Sequence, residues 1–200
     1  MPQSTRLYTA GQGSGSAQNR RVAINVQGAN NASLPAKQSF TTTAETAFTD
    51  PAVANSIPLA VAIPPGGPCE QEIFSIVFSG YVTTAQSGTV IFKLRFGDSA
   101  TVASNTLLVT TATSGTIATA TVPFAVEVKL VYDSVSGDLD ILSASQAING
   151  VITAPTIAAG PFSKSISNTA NPVAVFTLTA TFNTATAPNT ANLKDFGINH

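Results

Sequence analysis

Charge is what this chain has least of. Asp, Glu, Lys and Arg together make up 10% of its 200 residues, against about a quarter in an ordinary soluble protein. Helical proteins keep themselves in solution with Glu and Lys. So small a share disfavours a helical fold and leaves the surface to Thr, Ser, Asn, Gly and Ala. The net charge is −1, without the clustered basic face of a nucleic-acid binder, so no direct nucleic-acid contact is expected. A single Cys excludes an internal disulfide framework. No apolar run approaches the roughly 18 residues of a membrane span, so no membrane partner is expected. Met1 to Gln12 also lacks the apolar core of a secretory signal.

The groups that carry chemistry are equally scarce. The one histidine, His200, is the last residue, where chains fray and a catalytic base cannot be held. Cys69 neighbours Glu70, and an adjacent carboxylate raises a thiol's pKa rather than activating it. One Cys and one His cannot build a usual structural zinc site. Asp133, Asp138 and Asp140 gather around Ser136-Gly137, but their spacing is not that of a calcium-binding EF-hand loop. Acids at such a turn more often solubilise a hairpin. Asp138 and Asp140 share a strand face, yet a paired-carboxylate hydrolase needs them in a cleft. Gly11-Gln12-Gly13-Ser14-Gly15-Ser16 is glycine-rich but leads into no helix, so it does not read as a phosphate cradle. No catalytic residue, metal ligand or cofactor site is expected, and the chain does not read as an enzyme.

What is present is alternation. Hydrophobic residues form 44% of the chain, enough to build a core. In Gln71 to Thr84, Phe74, Ile76, Phe78 and Val82 share one face. In Thr89 to Gly97, Val90, Phe92, Leu94 and Phe96 do the same. A period of two marks a half-buried strand. Further strands are expected around Leu107-Leu108-Val109, and over Thr116 to Asp133 with Val122, Phe124, Val126, Val128, Leu130 and Tyr132 in phase. Pro123 in that run predicts an edge, a bulge or a break. Asp138 to Gln146 should pair with it as a hairpin, with Leu139, Ile141 and Ser143 on one face. Asn171 to Thr184 sets Phe176, Leu178, Ala180 and Phe182 against a threonine ladder suited to an exposed or interfacial face. Leu193 to Asn199 supplies a last strand. About eight strands with frequent turns and no amphipathic helix predict an all-β, jelly-roll-like antiparallel β-sandwich. An immunoglobulin-like sandwich is the alternative, without the Trp and Cys pair that would support it.

The first 50 residues have another texture. Apolar residues are sparse, and Arg6, Arg20, Arg21 and Lys37 precede the first acid, Glu45. Such a segment cannot offset its own ordering entropy. It is expected to be an extended N-terminal arm over residues 1–50, disordered alone or ordered on a neighbouring subunit, ahead of a sandwich domain over residues 51–200. If the arm anchors the chain to a particle, Arg6, Arg20, Arg21 and Lys37 are its candidate contacts.

One stretch carries a resemblance. Gly88-Thr89-Val90-Ile91-Phe92-Lys93-Leu94-Arg95-Phe96-Gly97-Asp98-Ser99, followed by Ala103-Ser104-Asn105-Thr106-Leu107-Leu108, resembles small jelly-roll virion proteins of tailed bacteriophages. There a strand ending in an Arg-Phe-Gly-like motif enters a polar turn and then a short apolar strand. Phe124 to Asp133 and Asn171 to Asn183 are similar to later strands of such domains. The likeness is one of texture and short motifs over roughly Glu70 to Asn199 and does not cover the arm. It implies a capsid decoration (cement) protein, often a homotrimer on the capsid exterior after assembly in the host cytoplasm. Its partners would be the major capsid protein and copies of itself. Its role would be to clamp neighbouring capsomers, and the family carries over no catalytic residues. Alternatives are a receptor- or glycan-binding module of a tail or fibre, and a single-jelly-roll capsid protein.

Overall fold

Alternation in the sequence becomes alternation of burial in the structure. From Phe74 to Val82 the even-numbered residues are buried and the odd-numbered ones face outward. Val90, Phe92, Leu94 and Phe96 are likewise buried. The computed structural model describes residues 21–22, 37–49, 60–63, 73–84, 87–97, 101–118, 120–133, 138–160, 162–163, 174–185 and 189–199. Its strands, in chain order, are β1 (Arg21–Val22), β2 (Gln38–Phe40), β3 (Thr46–Ala47), β4 (Ala60–Ile63), β5 (Ile73–Thr83), β6 (Val90–Phe96) and β7 (Thr106–Thr110). They continue with β8 (Thr121–Asp133), β9 (Asp138–Ile148), β10 (Val151–Thr153), β11 (Thr156–Ile157), β12 (Phe162–Ser163), β13 (Ala174–Phe182) and β14 (Asn189–Asn199). Among the described residues the helical content is one 3-10 turn, Val102–Ser104.

Two antiparallel sheets pack face to face. One runs β1-β14-β5-β8-β9-β10, with β2 also on β14 and β12 also on β9. The other runs β11-β7-β6-β13-β3, with β4 also on β13. The nesting defines the fold: β2 pairs with β14, β3 and β4 with β13, β5 with β8, and β6 with β7. Early strands pair with late ones and the middle strands with each other. A long antiparallel hairpin wrapped into two sheets gives this order, which is that of a jelly roll. The segment between β8 and β13 adds β9, β10 and β12 to one sheet and β11 to the other.

Phenylalanine fills the space between the sheets. The Phe92 ring stacks on Phe124 at 4.4 Å and lies 6.2 Å from Phe78 and 6.3 Å from Phe48. Phe40 touches Phe48 and Phe182. Phe40 and Phe48 therefore place residues 37–49, the described end of the N-terminal segment, inside the sandwich core. Composition assigns these residues to the arm, but the structure places them in the sandwich. Their two phenylalanines, eight positions apart in a polar run, bury on opposite sides of a turn and leave no local period to detect.

Three bulges shift the register in ways that strict alternation misses. Between the Lys129–Ser143 and Leu130–Ile141 pairs, Leu142 is the extra residue on β9. Beyond it the inward positions become Ala144, Gln146 and Ile148, and Ser143 is exposed. Ser143 is therefore not on the buried face that extrapolation from Leu139 assigns to it. On β7, Leu108 is the extra residue, which lets both Leu108 and Val109 bury. On β14, Lys194 is the extra residue. Opposite it Gly80 lies so close to the Asn192 carbonyl that any Cβ would clash.

Pro123 marks neither an edge nor a break. It lies inside β8, which is flanked by β5 and β9. The β8–β9 pairing stops at Phe124 and Ile148, and the Pro123 carbonyl accepts from the Asn149 N–H at 2.9 Å. In an antiparallel strand a residue's N–H and C=O point the same way. The donor that Pro123 lacks therefore faces the Asn149-Gly150 turn, where no ladder bond is needed.

Candidate functional site

The densest polar cluster in the described residues centres on Glu45, between β2 and β3. Its Oε1 accepts from Arg95 Nε at 2.5 Å and from Thr179 Oγ1 at 2.8 Å. Its Oε2 accepts from Arg95 Nη2 at 2.9 Å and from Lys93 Nζ at 2.7 Å. Lys93 and Arg95 occupy outward positions of β6, and Thr179 the matching position of β13, where its register partner is Lys93. Arg95 also donates through Nη1 to the Asn105 carbonyl at 2.8 Å. One guanidinium thus ties the loop before β7 to the turn that carries Glu45.

The Arg-Phe-Gly motif now has a physical division of labour. Arg95 makes the clasp and Phe96 enters the core. Gly97, at φ +149, lies against the Asn105 side chain, where no Cβ fits. The threonine ladder is equally specific. Thr177 and Thr179 are buried within the chain rather than exposed, and Thr179 is one of the clasp's donors.

Burial would raise the Glu45 pKa, but the hydrogen bonds from Arg95, Lys93 and Thr179 outweigh it and lower the pKa from 4.5 to about 2. A carboxylate bonded on both oxygens by two strands acts as a fastening between them and its own turn. A folded-state pKa below the unfolded one stabilises the fold above the unfolded value. That contribution is lost as pH falls from about 4.5 through about 2. Glu45→Gln is expected to lower stability at pH 7 by about 2–3 kcal/mol. Denaturant titrations from pH 7 to pH 2 should show the gap to the parent chain closing across that acid window.

The second feature is an edge. The first sheet is closed along β14 by β1 and β2, and the second along β13 by β3 and β4. Among the described residues the sheets end at the other side in β10 and β11, both contributed by Val151 to Ile157. Ile152, Val151 and Leu142 are 81%, 56% and 51% exposed, and Ile157 is exposed too. Gln146 holds this edge in place. It is buried, its Oε1 accepts from the Ala112 N–H at 2.7 Å, and its Nε2 donates to Thr153 Oγ1 at 2.8 Å. The Asn149-Gly150 turn, with φ of 54 and 75, reverses the chain between β9 and β10. Positive φ at both central residues is the tight hairpin geometry that Asn-Gly favours. Asn149-Gly150 is the sequence signal for this hairpin, and strand alternation alone does not use it.

The candidate arm contacts are dispersed. Arg21 lies in β1 opposite Asn199, and exposed Lys37 directly precedes β2, whose Gln38 pairs with Ala191. The two sit at opposite ends of β14, about 25 Å apart at strand rise. Arg6 and Arg20 lie outside the described residues, as do Cys69, Ser136-Gly137 and His200. Asp138 is half-buried and Asp140 exposed. Among the described residues no three His, Cys, Asp or Glu side chains gather where they could hold a metal ion. No described helix is long and apolar enough to cross a membrane. Of the tyrosines, Tyr81 is exposed and Tyr132 is buried, while Tyr8 lies outside the described residues.

No protein-family model matches the chain, and the comparisons with curated proteins and with solved structures give no match either.

Proposed function

We propose that this chain is a non-enzymatic virion structural protein that decorates and stabilises a phage capsid by clamping neighbouring capsomers. The observation that carries the proposal is the jelly roll's uncharged, apolar outer edge at β10 and β11, set on an otherwise sparsely charged body. Among the described residues no strand covers this edge, and Ile152 and Val151 stand exposed on it, which suits an assembly component. The resemblance of the Arg95-Phe96-Gly97 region to jelly-roll virion proteins adds the particle context. In this proposal the body self-associates, as a homotrimer if the resemblance holds. The N-terminal segment, with Arg6 and Arg20, reaches the major capsid protein on the capsid exterior, while Arg21 and Lys37, beside β14, add contacts from the body. Repeated weak contacts across a symmetric oligomer gain through effective concentration, and a basic segment suits an acidic neighbour.

The clasp dictates how the arm is tested. Deleting residues 1–50 would remove Phe40, Glu45 and Phe48 and so unfold the sandwich. The full-length chain with Arg6→Gln and Arg20→Gln leaves the described strands intact. Density-gradient fractions of lysates containing assembled particles should hold the parent chain on intact particles, accessible to antibody, with occupancy reduced in the variant. A parent chain absent from every particle fraction contradicts the proposal. Glycan-array binding by such a chain would favour the receptor-binding alternative.

A further inference from the structure

From Ile141 to Ser163 the chain contains no Asp, Glu, Lys or Arg. This uncharged run builds the second half of β9, the edge strands β10 and β11, and β12. It is also where the exposed Leu142, Val151, Ile152 and Ile157 lie. Bare strand edges are usually protected by charge, by proline, by shortness or by a covering segment, and this edge is short, with Pro155 between its two strands. Neither β10 nor β11 contains a charge or a proline, and Ile152 is 81% exposed.

Uncharged runs also occupy residues 99–126 and 165–193. Among the described residues, however, only at this edge is one combined with exposed apolar side chains at the end of both sheets, and that combination suits a second copy of this chain. Near the axis of a symmetric oligomer each residue faces its own copies. A charge there meets its own sign, and like charges placed together cost several kcal/mol. A surface that binds a different protein has no such restriction and commonly carries charges complementary to its partner. An edge that is apolar and free of both signs over the whole run is matched in charge to itself. The geometry adds rigidity. Thr153 is held by Gln146, which is itself fixed to the Ala112 backbone, so the edge is presented with little ordering left to lose. On the outer face the nearest charged position to Ile152 in register is Glu127 on β8, two strands in from β10 and opposite Ser145 of β9, and exposed Asp140 lies further along β9 beside Leu142.

We infer that the β10–β11 edge is the surface through which copies of this chain contact one another, with Ile152 near the symmetry axis. The inference rests on the proposed function as an assembly protein and names its self-contact.

The test is sedimentation velocity on the full-length chain over a concentration series, with Ile152→Lys, Ile152→Leu and Ile73→Lys. Ile73 is 62% exposed but lies at the far end of β5, so it controls for loss of general stickiness. Circular dichroism confirms the fold of each variant, and substitutions at such exposed sites leave the core untouched. The parent chain, Ile152→Leu and Ile73→Lys should form the same discrete oligomer. Ile152→Lys should weaken association by about a hundredfold or more, because each copy would bring a lysine to the contact. A parent chain that is monomeric at its highest soluble concentration overturns the inference, as does an Ile152→Lys oligomer of unchanged affinity. A monomeric parent that still occupies particles overturns the self-contact alone and leaves the proposed function standing. A parent that oligomerises through Ile152 but never reaches a particle supports the self-contact and contradicts the proposed function.

Discussion

Phe92→Ala is expected to destabilise the sandwich by about 3–5 kcal/mol, the range for truncating a fully buried phenylalanine. Phe92 is 0% exposed, and its ring meets Phe48, Phe78 and Phe124. Those partners come from the position just after β3, from β5 and from β8. The ring therefore joins the N-terminal turn and the first sheet to the second. The cavity left behind would be lined by other rings in regular strands, which collapse poorly into a void. At about 2–4 °C per kcal/mol for a chain of this size, the melting temperature should fall by about 10 °C. Differential scanning calorimetry would measure it. Phe92→Leu, which keeps most of the volume, should recover more than half of the loss.

Arg95→Met should be comparably costly, at about 3–5 kcal/mol, for a different reason. Removing one partner of a largely buried ion pair leaves the other charge short of its compensation. Glu45 would keep Lys93 and Thr179 but lose both guanidinium bonds. The Asn105 carbonyl would lose its donor as well. The Glu45→Gln/Arg95→Met double variant should lose clearly less than the sum of the two single losses, because Glu45→Gln alone strands the guanidinium that the double variant also removes. Denaturant unfolding of the four proteins at pH 7 gives the coupling. Additive losses would mean that the clasp is not a unit.

Much of the fold was legible because the long strands are simple. Phe74 to Val82, Val90 to Phe96 and Phe176 to Phe182 alternate cleanly, and each is a strand with that face buried. The bulges were not legible. An extra residue such as Leu142 reverses the phase without any change in composition. The clasp was hidden by sequence distance: Glu45 lies 50 residues from Arg95 and 134 from Thr179. Nothing local to Glu45 distinguishes it from a solvated acid. Phe40 and Phe48 were hidden by their polar surroundings, which gave residues 37–49 the texture of an arm. The edge lay between these extremes. Asn149-Gly150 and the long uncharged run were visible, but that run's place at the open side of both sheets follows only from the topology.

That placement is the centre of the account, and hydrogen exchange reads it directly. The amides of Val151 to Ile157 should gain protection as the concentration of the full-length chain rises, while those at the centre of β5 stay equally slow throughout. Fast exchange from Val151 to Ile157 at every concentration would contradict the account.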